Sequence, residues 1–157
     1  MPDGPRYEDD FYAWTQYQAE VLRSMRTRDN RFDREHIAEE IEDLGKCERY
    51  TVESQIARIM EHSLKIACSP AERPRYGWMG SIADARRILR QKLTPTLRRH
   101  AEEVLTELYA DGREAADLAL REYGENDAAA ALPLVCPYTL EQVLSRDWYP
   151  DPAGEKR

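Results

Sequence analysis

The sequence has little glycine, little phenylalanine and no pattern that is typical of β-strands. Glycine occurs seven times and phenylalanine twice in 157 residues. No stretch alternates apolar and polar residues as a half-buried strand does, and no hairpin dipeptide is found. Alanine, leucine, glutamate and arginine are plentiful instead, and these residues lose little conformational freedom in a helix. The composition therefore predicts an all-α fold.

Cysteine is scarce as well, with three widely spaced residues, Cys47, Cys68 and Cys136. An odd number without a CxxC pair indicates neither a disulfide framework nor a zinc knuckle. Reduced thiols are typical of a reducing cytosol. The acidic N-terminus does not resemble a signal peptide, and no apolar run approaches the roughly 20 residues that span a bilayer. We therefore expect a cytoplasmic protein with no membrane segment.

The charge is negative overall but unevenly distributed. The net charge of −7 does not favour nucleic acid as a partner. Residues 73–100 contain eight lysines and arginines against Asp84 alone, whereas residues 35–48 contain six acidic residues against Lys46 alone. The two segments are expected either to face each other or to face solvent.

Apolar spacing predicts a bundle of four main helices and a short capped C-terminal helix. The main helices are expected roughly at Asp9–Arg28, from the N-cap Asp33 to about Cys68, at Trp78–Leu93 after a loop over 69–77, and from Pro95 to Ala119 with Thr94 as N-cap. Residues 125–131 have no assigned structure. Because 157 residues fit one domain of common size, a single domain over 1–157 is expected, with an ordered core of about 7–150 and flexible termini.

The long second helix has an unusual apolar pattern. Ile37, Ile41 and Leu44 are expected to start its buried stripe. Beyond Gly45 the apolar positions are rotated away from this first set. Either the helix bends near Gly45, or its two halves pack against different neighbours.

The last element lies within residues 136–150. Thr139 and Gln142 match a capping box, and Pro150 is expected to end the helix.

Three stretches resemble a known family: YEDDFYAWTQYQAEVLR (7–23), IAEEIEDLGKCER (37–49) and PYTLEQVLSRDWYP (137–150). Their order and spacing are similar to those of the bacterial domain-of-unknown-function family numbered twenty-nine. The resemblance covers nearly the whole chain and implies a helical bacterial protein. It implies no particular activity, cofactor or catalytic residue.

The acidic helix holds the candidate metal ligands. His36, Glu40, Asp43 and Cys47 share one stripe, and Asp10 could add a ligand from the first helix. Imidazole, carboxylate and thiolate groups on one face could bind a divalent metal as cofactor. The competing interpretation is a solvated, charged helix flank. The Glu-x-x-His motif of di-iron bundles is absent.

Two further groups have alternative interpretations. His62 could be a general base, with Glu40 and Asp43 as the other catalytic candidates, or simply a packed histidine. Arg86 and Arg90 could bind phosphate, or the aliphatic parts of their side chains could cover the apolar edge of the helix.

The leading hypothesis is a helical protein-interaction or scaffold module that binds a protein partner or self-associates. Partly exposed aromatic residues would suit such an interface, and the candidates are Tyr17, Trp148 and Tyr149. The alternative is a metal-dependent hydrolase or nuclease whose carboxylates come from the first two helices. Its candidate residues are Asp10, Glu39, Glu40 and Asp43, with His36 nearby.

Overall fold

A computed structural model describes residues 4–155 of the chain. All secondary structure in this range is α-helical, which confirms the predicted fold class. The seven helices found there are α1 (Phe11–Ser24), α2 (Arg34–Cys68), α3 (Arg75–Lys92), α4 (Pro95–Glu103), α5 (Leu105–Glu122), α6 (Asn126–Ala130) and α7 (Leu140–Leu144). No helix in residues 4–155 is both long enough and apolar enough to cross a membrane.

The segment predicted as the fourth helix contains two helices, α4 and α5. Helix α4 ends at Glu103 and α5 begins at Leu105, because Val104 between them adopts φ −103° and ψ 14°. This departure from helical geometry is confined to one residue, so the apolar spacing along the sequence hardly changes. The periodic pattern of apolar residues therefore gives no sign of the break between α4 and α5. Residues 126–130, which lie in the segment without an assigned structure, form α6.

Side-chain caps mark the starts of α2, α4 and α7. Asp33 accepts a hydrogen bond from His36 N at 3.4 Å, and Thr94 accepts one from Leu97 N at 3.2 Å, as an N-cap does. Both predicted caps are confirmed. The capping box of Thr139 and Gln142 is also present.

Three predicted boundaries are wrong. Helix α1 stops at Ser24 instead of Arg28, because Met25 is already extended with ψ 140°. Helix α3 begins at Arg75 and so takes three residues from the predicted loop. Helix α7 stops at Leu144, since Ser145 is extended with ψ 130°, and Pro150 plays no part in ending it.

The chain divides into two compact units. Unit 1 contains Met1–Val52 and Lys92–His100, and unit 2 contains Glu53–Gln91 and Ala101–Arg157. The single domain expected from chain length stays a prediction. Part of the tail expected to be flexible is held in unit 2, because Ala153 N donates to the Ile66 carbonyl at 3.1 Å. The other predicted flexible residues include 1–3 and 156–157, which lie outside the described range.

Small residues of α2 form its buried face in unit 1. Ala38, Gly45 and Val52, seven residues apart, are buried, whereas Ile37 and Leu44 are 37% and 55% exposed. The predicted stripe through these two large residues is therefore wrong. The buried face consists of the positions of α2 that lie closest to α1. A prediction from the spacing of large apolar residues misses the alanine and glycine at these positions.

Unit 2 has the larger apolar core. The fully buried side chains include Ile56, Ile59, Met60, Leu64, Ile82, Leu89, Leu120 and Leu140. Helix α5 approaches α2 closely at Gly112, where a Cβ would lie 2.6 Å from the Ala57 carbonyl oxygen. A larger residue at this position would separate the two helices.

Candidate functional site

Asp10, the candidate metal ligand from the first helix, is a buried helix cap. Its Oδ1 accepts from Ala13 N at 2.9 Å, and its Oδ2 accepts from Thr96 N at 2.8 Å. Burial acts to raise the pKa of this carboxyl. The hydrogen bonds from these two N–H groups and from the hydroxyls of Thr94 and Thr96 outweigh burial and hold the pKa below its ordinary value. Both oxygens are therefore engaged in joining the starts of α1 and α4.

The candidate ligands on α2 have separate local partners. His36 Nδ1 lies 2.7 Å from Asp33 Oδ2, and this hydrogen bond raises the pKa of the imidazole. Asp43 accepts from Lys46 Nζ at 3.0 Å. Glu40, like Glu39, is exposed. Each of these side chains therefore faces solvent or a neighbour on its own helix.

Cations neutralise much of the acidic segment. Glu42 binds Lys46 at 2.8 Å and Arg23 at 3.0 Å, and these hydrogen bonds lower its pKa to about 2. Glu48 binds Lys92, a member of the basic segment, at 2.9 Å. In residues 4–155 no group of three His, Cys, Asp or Glu side chains is arranged to hold a metal ion. The metal and hydrolase hypotheses stay predictions, with no ligand cluster described to support them.

His62 is half-buried in unit 2, and its Nδ1 is buried without a hydrogen-bond partner in the described residues. Burial lowers its pKa to about 4; Lys65 and Arg58 act in the same direction, against Glu61. The imidazole is therefore neutral near pH 7. Proton transfer is most efficient when the pKa of the base lies near the working pH, so this histidine is poorly matched to that task. Its catalytic role stays a prediction.

The three aromatic residues predicted to be partly exposed differ in their surroundings. Tyr17 is exposed, and Trp148 and Tyr149 are half-buried, in agreement with that prediction. Trp148 packs edge-on against Tyr138 with centroids 5.4 Å apart. The Tyr149 ring lies 5.1 Å from the Arg86 guanidinium.

Unit 2 contains an apolar groove that the sequence does not reveal. The groove has a volume of about 450 Å³ and is lined by Lys65, Ala71, Pro74, Trp78, Ala119, Leu120, Tyr123 and Glu125. Two of these residues, Lys65 and Glu125, are charged. The other walls of the groove are aliphatic or aromatic. This volume lies within the usual range for binding pockets.

The two charged residues of the groove differ in whether their polar atoms have partners. Lys65 is buried, with its Nζ 2.7 Å from Glu61 Oε1 and 5.6 Å from the Trp78 ring centroid. Its charge is therefore matched. Glu125 Oε2 is buried and has no hydrogen-bond partner in residues 4–155. Glu125 thus brings a buried carboxylate oxygen without a described partner to the edge of the groove.

A second unusual surface of unit 2 is the apolar tip, which consists of Leu134 and Val135. These neighbouring side chains are 84% and 80% exposed. The tip is held in place at Pro133, whose carbonyl accepts from Tyr109 Oη at 2.6 Å and from Arg113 Nε at 2.9 Å. Burial raises the pKa of Tyr109 to about 12, so the hydroxyl keeps the proton that it donates.

The tip has a signal in the sequence that periodicity overlooks. An apolar run between two prolines, Pro133 and Pro137, cannot be a helix interior, and its aliphatic residues have no helical neighbours to pack against. The groove has no such signal, because Lys65, Trp78 and Leu120 come from three different helices.

Fold and surface together define the class: an all-helical protein whose distinctive surfaces are an apolar groove and an exposed apolar tip. The chain belongs to the family described as domain of unknown function DUF29, whose model matches residues 6–149. This confirms the resemblance seen in the sequence. A solved structure of an alpha-helical protein of unknown function from Rhodospirillum rubrum is 27% identical, covers 93% of each chain and superposes with a TM-score of 0.81. No curated protein matches the chain.

Proposed function

We propose that this chain is a helical protein-interaction module that self-associates, with the apolar tip of one copy entering the groove of a second copy. The observation that carries the proposal is the presence of both surfaces on unit 2: a fixed, exposed pair of aliphatic side chains and an apolar groove of about 450 Å³. Exposed apolar surface of this kind marks interaction sites. Each surface offers the chemistry that the other accepts.

Hydrogen bonding supports the same pairing. The backbone N–H groups of Leu134 and Val135 donate to no acceptor within residues 4–155. Glu125 Oε2 in the groove lacks a donor, and a buried acceptor without a partner costs about 1–3 kcal/mol. An N–H group of the incoming tip would remove that cost. The groove therefore suits a backbone segment with aliphatic side chains.

The expected affinity is modest. Burying the two aliphatic side chains of one tip stabilises by about 3–6 kcal/mol, whereas association costs at least about 4 kcal/mol of translational and rotational freedom. A single tip in a single groove would therefore bind weakly. Two reciprocal contacts in a closed dimer would double the gain for one association cost. A dissociation constant on the order of 100 µM, about −5.5 kcal/mol, is the scale to expect.

The test is the molar mass in solution at protein concentrations from about 10 to 500 µM, which bracket that constant. We expect the mass to rise with concentration toward a dimer. The double variant Leu134→Ser, Val135→Ser should remain monomeric. Because both side chains are exposed, these substitutions should leave the unfolding midpoint close to that of the unmodified chain.

Leu118→Ser is the matched control, because Leu118 is 64% exposed on α5 but does not line the groove. This variant should associate like the unmodified chain. A monomer at every concentration would overturn self-association through the tip. Equal loss in the control would show that the effect is not specific to the tip.

We also infer that the module works in a bacterial cytosol. The relative from Rhodospirillum rubrum supports the bacterial part. An exposed thiol at Cys47 that forms no disulfide in the described residues supports the reducing compartment. Locating a fluorescent fusion of the protein within cells of its source would test this inference.

A further inference from the structure

Unit 2 contains a second concave surface, unlike the groove in its charge. A cavity of about 390 Å³ lies between α3 and the segment after α7. This arginine pocket is lined by Ala83, Arg86, Arg87, Arg90, Arg146, Asp147 and Tyr149. Four guanidinium groups thus face one carboxylate. Like charges at this density repel unless an anion joins them.

Arg86 forms the buried base of the arginine pocket and positions its neighbour. Its Nε donates to the Val143 carbonyl at 2.9 Å, and its Nη2 donates to the Gln142 carbonyl at 3.2 Å. These acceptors lie at the C-terminal end of α7, where a cation complements the helix dipole. Nη1 also reaches the Arg146 carbonyl at 3.5 Å. The buried arginine therefore fixes the backbone that carries a second arginine.

The other guanidinium groups differ in how available they are. Arg90 and Arg146 are exposed, and their side chains form no hydrogen bond or ion pair within residues 4–155. Arg87 is paired with Asp84, one turn earlier on α3. Two guanidinium groups are therefore open to a ligand, and a third is held by a carboxylate that a stronger anion could replace.

We propose that the arginine pocket binds a small phosphorylated molecule through its phosphoryl group. A phosphoryl dianion accepts several charge-assisted hydrogen bonds at once, and arginine is the side chain best shaped for this geometry. The concave shape and volume suit a small ligand. The acidity of the chain as a whole, with a net charge of −7, disfavours the extended backbone of a nucleic acid. This binding site goes beyond the proposed self-association and uses neither the tip nor the groove.

The test is a calorimetric titration of the full chain with inorganic pyrophosphate at low salt. We expect saturable binding to the unmodified chain. The double variant Arg90→Gln, Arg146→Gln should bind at least about tenfold more weakly, since a hydrogen bond to a charged group is commonly worth a factor of this size. Both side chains are exposed, so the variant should still fold.

The matched control is the double variant Arg98→Gln, Arg99→Gln. It removes the same charge from two exposed arginines of α4 and should bind pyrophosphate within about twofold of the unmodified chain. Asp84→Asn provides a gain of function, because it releases Arg87 and should tighten binding. No saturable binding, or an equal loss in both double variants, would overturn the proposal.

A final titration separates the ligand classes. Short single-stranded DNA should bind much more weakly than pyrophosphate, and losing the pocket arginines should not change its affinity more than losing the control pair does. If DNA bound more tightly than pyrophosphate and did so through Arg90 and Arg146, the proposal of a small phosphorylated ligand would be wrong, and a nucleic acid would be the ligand instead.

Discussion

Asp10 Oδ2 accepts a hydrogen bond from Thr96 N at 2.8 Å, although 86 positions separate the two residues in the chain. The other carboxylate oxygen caps α1 through Ala13 N. One buried charge thus satisfies N–H groups at the starts of two helices, and both N–H groups belong to unit 1. The residue that resembles a metal ligand in the sequence has a complete structural role.

This double cap predicts a large loss of stability on substitution. Asp10→Ala removes an N-cap, worth about 1 kcal/mol, and a charge-assisted hydrogen bond, worth about 1.5–3 kcal/mol. We expect the free energy of unfolding in urea to fall by about 2–4 kcal/mol. Asp9→Ala is the control, because the Asp9 side chain forms an exposed ion pair with Arg6, and the variant should lose less than about 0.5 kcal/mol. Equal losses in the two variants would contradict the capping role.

The same geometry predicts that divalent metals do not stabilise the chain through α2. A ligand at one hundred times its dissociation constant stabilises by about 2.7 kcal/mol, which a thermal melt detects. With His36 bound to Asp33 and Asp43 bound to Lys46, we expect no saturable shift with magnesium, manganese or zinc. A shift that disappears in the double variant His36→Ala, Glu40→Ala would restore the metal and hydrolase hypotheses.

Gly45 predicts an inversion of the usual effect of alanine in a helix. Replacing a helical glycine by alanine commonly gains up to about 1 kcal/mol. A Cβ at Gly45, however, would overlap Thr15 Oγ1 and Gln16 Nε2, and overpacking costs about 1–3 kcal/mol. We therefore expect Gly45→Ala to lower the unfolding midpoint in urea.

Gly80→Ala provides the comparison for that measurement. Gly80 lies inside α3, and a Cβ there would meet no atom within 4 Å. This variant should gain stability by about 0.5–1 kcal/mol. If Gly45→Ala stabilised the chain as much as Gly80→Ala, the close approach of α1 and α2 would be wrong.

The features that the sequence predicts well depend on local chemistry. The caps at Asp33, Thr94 and Thr139 require only the residue and the helix that follows it, and all three are present. The burial of α2 depends on a different helix, since Thr15 decides that Gly45 is buried and Leu44 is not. Periodicity contains no information about that neighbour.

The candidate sites show the same limit more strongly. His36, Glu40 and Asp43 share a helix stripe, yet neighbours at three-residue spacing bind two of them before any ligand could. The sequence indicates one wall of the arginine pocket, because Arg86 and Arg90 are one turn apart on α3. Its other wall, with Arg146 and Tyr149, lies more than fifty residues away and is brought there by the buried contacts of α7.

His62 predicts a specific loss of stability in mild acid. Its pKa is about 4 in the folded chain and about 6.5 in an unfolded one. As the pH falls from about 6.5 toward 4, the unfolded state takes up a proton that the folded state does not, so stability falls. Urea unfolding of His62→Gln at pH 7.5 and pH 5 should therefore show a smaller loss than the unmodified chain.

The controls for this prediction come from two other titrating groups. Stability from Glu42, whose folded pKa is about 2, is lost only below its ordinary pKa, so pH 5 largely avoids that range. Hydrogen bonding to Asp33 raises the pKa of His36, which stabilises the folded state below pH 6.5 and is lost as the pH rises through the folded pKa. His36→Gln should therefore increase the loss between pH 7.5 and 5, opposite in sign to His62→Gln. If both variants shifted the pH dependence of the unfolding free energy in the same direction, burial of His62 would not be the cause of the loss of stability in mild acid.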